Sequence, residues 1–267
     1  MYWILGFLVA IIGALAVGLR IRPKPFPPFP QAQPALTTVP LRSDLPPPVD
    51  RCFKTVFGER VPLITSAVIT GRGKLTFMGI TFEGRWRFTH IAGHGYRHYM
   101  EAMLFGQPLM RVNEQYLDGI GHMEIPVGTF HDTPYINSAA NLGLWAETLY
   151  LPSLFLTDPR VRWAGVDDVT AHLYVPYAGG EQCFTVVFDP QTSLIKHMEA
   201  LRHRDAVKGG EILWRCEVYD WQTSNGACVP SPSGAHWMDQ KSAWLRPEVD
   251  EVVYNVDVQQ YIRQQGL

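Results

Sequence analysis

The chain is poor in the features that announce chemistry. Cysteine is scarce: Cys52, Cys183, Cys216 and Cys228 are the four in 267 residues, and none forms a CxxC pair. That count excludes a disulfide scaffold and a cysteine-ligated zinc knuckle. Four cysteines allow three pairings in an exported domain or free thiols elsewhere, and spacing does not choose between them. An excess of charge is missing too, since 23 Lys and Arg face 25 Asp and Glu for a net charge of −2. Nucleic acid is therefore not an expected partner. The sequence holds no HExxH, GxSxG, P-loop or GxGxxG motif. Gly71-Arg72-Gly73-Lys74 lacks the spacing and the following helix that a phosphate loop needs. No catalytic residue, cofactor or metal is assigned on this basis.

Long apolar runs are absent after Leu19. The one that exists, MYWILGFLVAIIGALAVGL, opens the chain without a charged side chain. Its length approaches the roughly 20 residues a membrane-spanning helix requires. Residues 1–20 are thus expected to be a single-pass transmembrane anchor in contact with the bilayer. A cleaved signal peptide ending at Ala14-Leu15-Ala16 is the rival, and the lack of a basic segment before the run argues against it. Arg20, Arg22 and Lys24 follow at once, which leans the domain towards the cytoplasmic face.

Residues 21–48 hold ten of the 21 prolines. Such density favours extended polyproline II, read here as a linker that stands the domain off from the anchor. Pro25-Phe26-Pro27-Pro28 contains a PxxP, a weak signal inside any proline-rich spacer.

Residues 49–262 read as one folded, mainly β domain. In ITFEGRWRF, Ile80, Phe82, Trp86 and Phe88 alternate with Thr81, Glu83, Arg85 and Arg87. Ile212 to Tyr219 and Glu251 to Val258 alternate in the same way. A period of two marks antiparallel strands with one wet face. Further strands are expected over 63–70, 96–105, 109–116, 119–125, 169–175, 182–188 and 194–203. One segment has helical spacing instead. Leu142, Trp145, Ala146 and Leu149 share a face over 138–150, with Ser138 as cap and Pro152 as stop. The expected fold is a large curved antiparallel sheet, an incomplete barrel, with this amphipathic helix inserted mid-chain.

Several side chains merit weighing as functional. His90, His94 and His98 are spaced by four, but Gly93 and Gly95 suggest a hairpin turn between them, so they are read as exposed turn and strand histidines rather than metal ligands. Asp167-Asp168 reads as a tight turn. Glu147, on the helix near Trp145, faces either water or a cleft. The aromatic content points to a core or a ligand cavity, and Phe82, Trp86, Leu142, Trp145, Leu149 and Trp214 are the expected inner-surface, ligand-binding residues.

The run of segments LPPPVDRCFKTVFGE, LWAETLYLPSLFL, VRWAGVDDVTAHLYV, FTVVFDPQTSLI and EVYDWQTSNGACVP resembles an uncharacterised bacterial family of membrane-tethered domains of unknown function. That family is similar in architecture to the lipoprotein-carrier superfamily, of LolA and LolB type, whose incomplete barrel wraps a helix and holds acyl chains. The resemblance spans roughly 45–257, and the Trp-rich, cysteine-bearing final third departs from the carriers. It implies a half-barrel fold and, more remotely, a lipid ligand. The expected function is non-enzymatic binding of an apolar or amphipathic ligand, most simply a lipid. The alternatives are a hydrolase or transferase using Glu147 with a nearby histidine, and an envelope protein-interaction module with a solid core. Oligomeric state is left open.

Overall fold

A computed structural model describes residues 2–263. After helix α1 (Tyr2–Gly18) come β1 (Thr38–Pro40), α2 (Pro47–Phe57) and β2 (Arg60–Pro62). A meander follows: β3 (Ser66–Phe77), β4 (Ile80–Ile91), β5 (Gly95–Leu104), β6 (Gln107–Leu117), β7 (Ile120–Ile125) and β8 (Gly128–His131). Helix α3 (Pro134–Ala146) leads through a 3-10 turn (Glu147–Tyr150) to the short α4 (Leu154–Thr157). The second meander is β9 (Arg162–Gly165), β10 (Thr170–Tyr177), β11 (Gly180–Phe188), β12 (Ile195–His203) and β13 (Glu211–Val218). A small hairpin, β14 (Trp221–Ser224) and β15 (Ala227–Pro230), precedes β16 (Ser233–Trp237), β17 (Leu245–Tyr254) and α5 (Gln259–Arg263).

The two meanders fuse because β17 pairs with β3, giving one antiparallel sheet of 13 strands. Its order runs β8-β7-β6-β5-β4-β3-β17-β16-β13-β12-β11-β10-β9, and its ends do not pair. The expected incomplete barrel is present. Curvature turns the apolar residues of both halves inward, where they bury the face of α3 that carries Leu142 and Trp145.

Close approach shapes the seam. Gly71 lies opposite Trp86 in the β3–β4 register. A Cβ at Gly71 would stand 2.1 Å from the Glu248 carbonyl oxygen and 2.3 Å from the Trp86 ring. The glycine therefore leaves the room that the indole occupies against the backbone, with its Nε1 donating to the Arg72 carbonyl at 3.2 Å. Gly71-Arg72-Gly73-Lys74 is strand, as its lack of phosphate-loop spacing required.

Four expectations need correction. No helix among the described residues is long and apolar enough to cross a membrane. Helix α1 has 17 residues, which at 1.5 Å each is about 26 Å against a hydrocarbon layer of about 30 Å. The expected transmembrane anchor over 1–20 therefore has no helix of spanning length to support it among the described residues, and Arg22, one of the three cations that leaned it towards one side, pairs with Glu248 at 2.5 Å. The proline-rich stretch does not stand away from the domain either. Phe26 is buried, the Phe29 amide donates to Glu251 at 2.9 Å, and Gln33 accepts from the Tyr254 amide at 2.9 Å. Its end is helical, because Pro47 and Pro48 occupy the first turn of α2, where a missing N–H costs nothing.

The helix of the half-barrel starts earlier than Ser138. Thr133 caps it, accepting from the Ile136 amide at 3.1 Å, and Pro134 takes the first helical position. Ser138 lies within the helix and accepts from Gln182 at 2.9 Å. Finally, the β4–β5 region has no wet face. Arg87, Arg97 and Glu101 point outward yet are buried, because residues 22–33 and α5 cover them. Arg97 donates to the Ile262 carbonyl at 3.2 Å, and Arg87 sits 4.5 Å over the Tyr261 ring.

Candidate functional site

The turn between β4 and β5 decides which side chains meet. It is tight, with the His94 amide donating to the Ile91 carbonyl at 2.9 Å. His90 consequently pairs with Tyr96, and Phe88 with His98. Residues two apart share a face, so both imidazoles project into the half-barrel while His94 stays in the turn. The next strand, β6, sets Glu114 directly opposite His98.

The inserted helix completes the group from the other side. Glu147 is the C-cap of α3, and its amide donates to the Gly143 carbonyl. Its Oε2 lies 2.5 Å from His98 Nε2 and 3.1 Å from His90 Nε2. On the far side of His98, Nδ1 is 3.9 Å from Glu114 Oε2. Tyr96 donates its hydroxyl proton to Glu114 Oε1 at 2.5 Å. The His98 ring is stacked on Tyr96 at 3.9 Å between centroids and tilted against Phe88 at 4.2 Å.

Burial disfavours charge on His98, but Glu147 and Glu114 outweigh it and raise its pKa to about 9. Burial likewise opposes the Glu114 carboxylate, and His98 with Arg202 overcomes it, holding that group at about 2. Glu147 is lowered against its own burial by the two histidines. His90 behaves differently: burial dominates and lowers its pKa, leaving a neutral imidazole. The pair His98 and Glu147 is thus charged, beside a neutral, fully buried second imidazole. In chemical terms the arrangement offers a carboxylate bonded to one imidazole, with a second imidazole 3.1 Å away and a further carboxylate 3.9 Å behind the first.

This cluster borders a branched cavity. A chamber of about 80 Å³ adjoins Glu147 and is lined by His98, Glu114, Leu149, Arg202 and Trp214. It shares Met100, Glu114, Arg202 and Trp244 with a larger chamber of about 230 Å³. That larger chamber is walled by Met110, Val112, Met123 and Trp237, with Arg204 on its rim. A third, also about 230 Å³, meets them at Glu114 and Arg202 and runs along α3 beside Ala139. Arg202 is held at this junction by donating to the Ala139 carbonyl at 3.0 Å and by lying 4.4 Å over the Trp214 ring.

The structure buries all six expected inner-surface residues, Phe82, Trp86, Leu142, Trp145, Leu149 and Trp214. Leu149 and Trp214 line the cavity, whereas Phe82, Trp86, Leu142 and Trp145 pack behind its walls. The methionines and Arg202 were not among the expected residues. For Met110 the signal was present in β6, where Met110, Val112 and Glu114 alternate with Arg111, Asn113 and Gln115. His90 and His98 are not the exposed histidines expected; both are buried. Asp167 does serve a turn, accepting from the Val169 amide at 2.9 Å. The four cysteines are free thiols, and burial pushes Cys52 up to about 12.

Residues 35–246 match the family of unknown function DUF6544, so the chain belongs to that family. No curated protein matches it. Among solved structures it is similar to a LolA superfamily protein from Nitrosomonas europaea, at 8% identity and a TM-score of 0.47, over 85% of this chain and 98% of that one. A putative outer membrane lipoprotein-sorting protein domain from Vibrio parahaemolyticus gives 8% identity and a TM-score of 0.43, over 80% and 92%. A DUF1329 family protein from Desulfovibrio piger gives 9% identity and a TM-score of 0.41, over 76% and 90%.

Proposed function

We propose that the half-barrel binds an apolar or amphipathic ligand of the lipid class in the chamber walled by methionines. The observation that carries this reading is the chamber itself: about 230 Å³ of space left beside an otherwise packed core. An aliphatic cavity of about 150 Å³ accepts a benzene ring, so this one accommodates a larger apolar group. Each buried methylene contributes about 0.8 kcal/mol, and methionine side chains adapt to irregular chains. Arg202 and Arg204 border the same space, which suits an anionic or polar head and an apolar tail. A packed interaction module would have no use for such a void.

The test is ligand uptake by the full chain, read by native mass spectrometry with medium-chain fatty acids. Val112→Trp should fill the chamber and reduce uptake at least about tenfold while the chain stays folded; tenfold corresponds to about 1.4 kcal/mol of binding energy. Unchanged uptake in a folded Val112→Trp chain sinks the reading. The 2.5 Å contact of Glu147 with His98 favours, as a second reading, a hydrolase or transferase in which Glu147 accepts a proton. Catalytic turnover lost in Glu147→Gln would support it.

A further inference from the structure

We propose that His90, His98 and Glu147 form a binding site for one divalent transition-metal ion, with zinc the best-matched occupant. This goes beyond the ligand reading and does not depend on it. Two imidazole nitrogens and a carboxylate oxygen, one from each residue, lie within 4.8 Å of one another. Tetrahedral zinc with bonds of about 2.0–2.1 Å keeps its ligands about 3.3 Å apart. His90 Nε2 and Glu147 Oε2, at 3.1 Å, already have that spacing. His98 Nε2, at 2.5 Å from the same oxygen, needs less than an ångström of opening as the ion replaces its proton. Two imidazoles and one carboxylate suit zinc and its first-row neighbours, and poorly suit magnesium or calcium.

An independent observation points to a missing partner. The His90 ring is fully buried, and neither of its nitrogens has a hydrogen-bond partner. Its approach to Glu147 does not meet hydrogen-bond geometry. A buried, unpaired imidazole is unfavourable, and a leucine would fill the same place without that penalty. A metal ion at Nε2 supplies the missing interaction.

The surroundings match what metal sites require. Glu147 ends α3, where the helix presents its negative pole and favours a cation. Glu114 stands behind His98 on the Nδ1 side and is itself held by the Tyr96 hydroxyl. At 3.9 Å this is not yet a hydrogen bond, and a small shift of the His98 ring would give the carboxylate–histidine arrangement that orients a metal-bound imidazole. Three protein ligands leave a fourth position, and a chamber of about 80 Å³ lined by His98 and Glu147 lies beside the site.

The experiment uses the full untagged chain, stripped with a chelator and titrated with Co²⁺, then with Zn²⁺. Expected are the visible absorption of four-coordinate cobalt, one equivalent per chain, and its displacement by zinc. His90→Leu should abolish the spectrum while the urea midpoint stays at or above that of the parent chain. Glu114→Gln should weaken binding about 10–100-fold. Uptake of fatty acid by His90→Leu should match the parent, so failure of the ligand reading and failure of the metal site are separately visible. A folded parent chain that takes up neither ion overturns the proposal. So does a cobalt spectrum that survives His90→Leu and vanishes in His131→Ala, because His122 and His131 lie 3.4 Å apart on the surface.

Discussion

The turn that brings His90 and His98 to one face is fastened by Asp158 and Arg160. Asp158 accepts from Arg160 Nε at 2.9 Å and from Arg160 Nη2 at 2.5 Å, and Nη2 also donates to the Gly93 carbonyl at 2.9 Å. Gly93 has φ +68, and a Cβ there would stand 2.7 Å from Asp158 Oδ2. Only glycine sits easily in that conformation and that space. Burial pushes the Asp158 carboxyl up, and the Arg160 guanidinium and amide more than reverse this, leaving it lowered from 3.8. A carboxyl lowered on folding contributes stability above its unfolded value and loses it as pH falls further. The contribution is therefore complete above about pH 3.8 and fades below it. Asp158→Asn should lose less stability than the parent between about pH 4 and about pH 2, measured by urea unfolding at each pH. Parallel acid limbs would refute the assignment.

At the scale of elements, α3 is both wall and ligand donor. Trp145 is fully buried and packs behind the cavity rather than lining it, with Arg160 6.0 Å over its ring. Trp145→Ala should cost about 3–5 kcal/mol in urea unfolding, and the remaining folded protein should keep the parent's ligand affinity. Lost affinity without lost stability would mean that the indole lines the ligand space. Most strands of the sheet were legible because period-two alternation is a local property, as Phe82, Trp86 and Phe88 show. The start of α3 was less legible: Ser138 and Thr133 are both good caps, and only tertiary packing puts Ser138 inside the helix. The site was half legible. Gly93 and Gly95 marked the hairpin, and a spacing of eight across it returns His90 and His98 to one face. That Glu147 points at them depends on how α3 docks across the second meander, a contact no spacing encodes.

At the scale of the whole molecule, the segments before and after the sheet act as a strap across its back. Phe26 lies 4.3 Å from the Arg85 guanidinium and 6.2 Å from the Tyr99 ring, while Phe29 meets Tyr261 edge-on at 5.0 Å. Residues 22–33 and α5 thereby cover β4 and β5 on the face opposite His90 and His98. Outward charges there are satisfied within the fold, as when Arg85 donates to Glu101 at 2.7 Å and Tyr99 donates to the same carboxylate at 2.8 Å. Proline suits a strap as well as a spacer, because an extended segment with few free N–H groups can lie on a sheet without a ladder of its own. The two roles differ in one measurable way. A spacer residue contributes nothing to folding, whereas burying a phenylalanine contributes about 2 kcal/mol. Phe26→Ala in the full chain should therefore lower stability by about that amount in urea unfolding. It should also speed cleavage within residues 31–37 by a protease of broad specificity, since the loosened strap exposes that stretch. An unaltered urea midpoint together with unaltered cleavage would return residues 21–48 to the role of a detached linker.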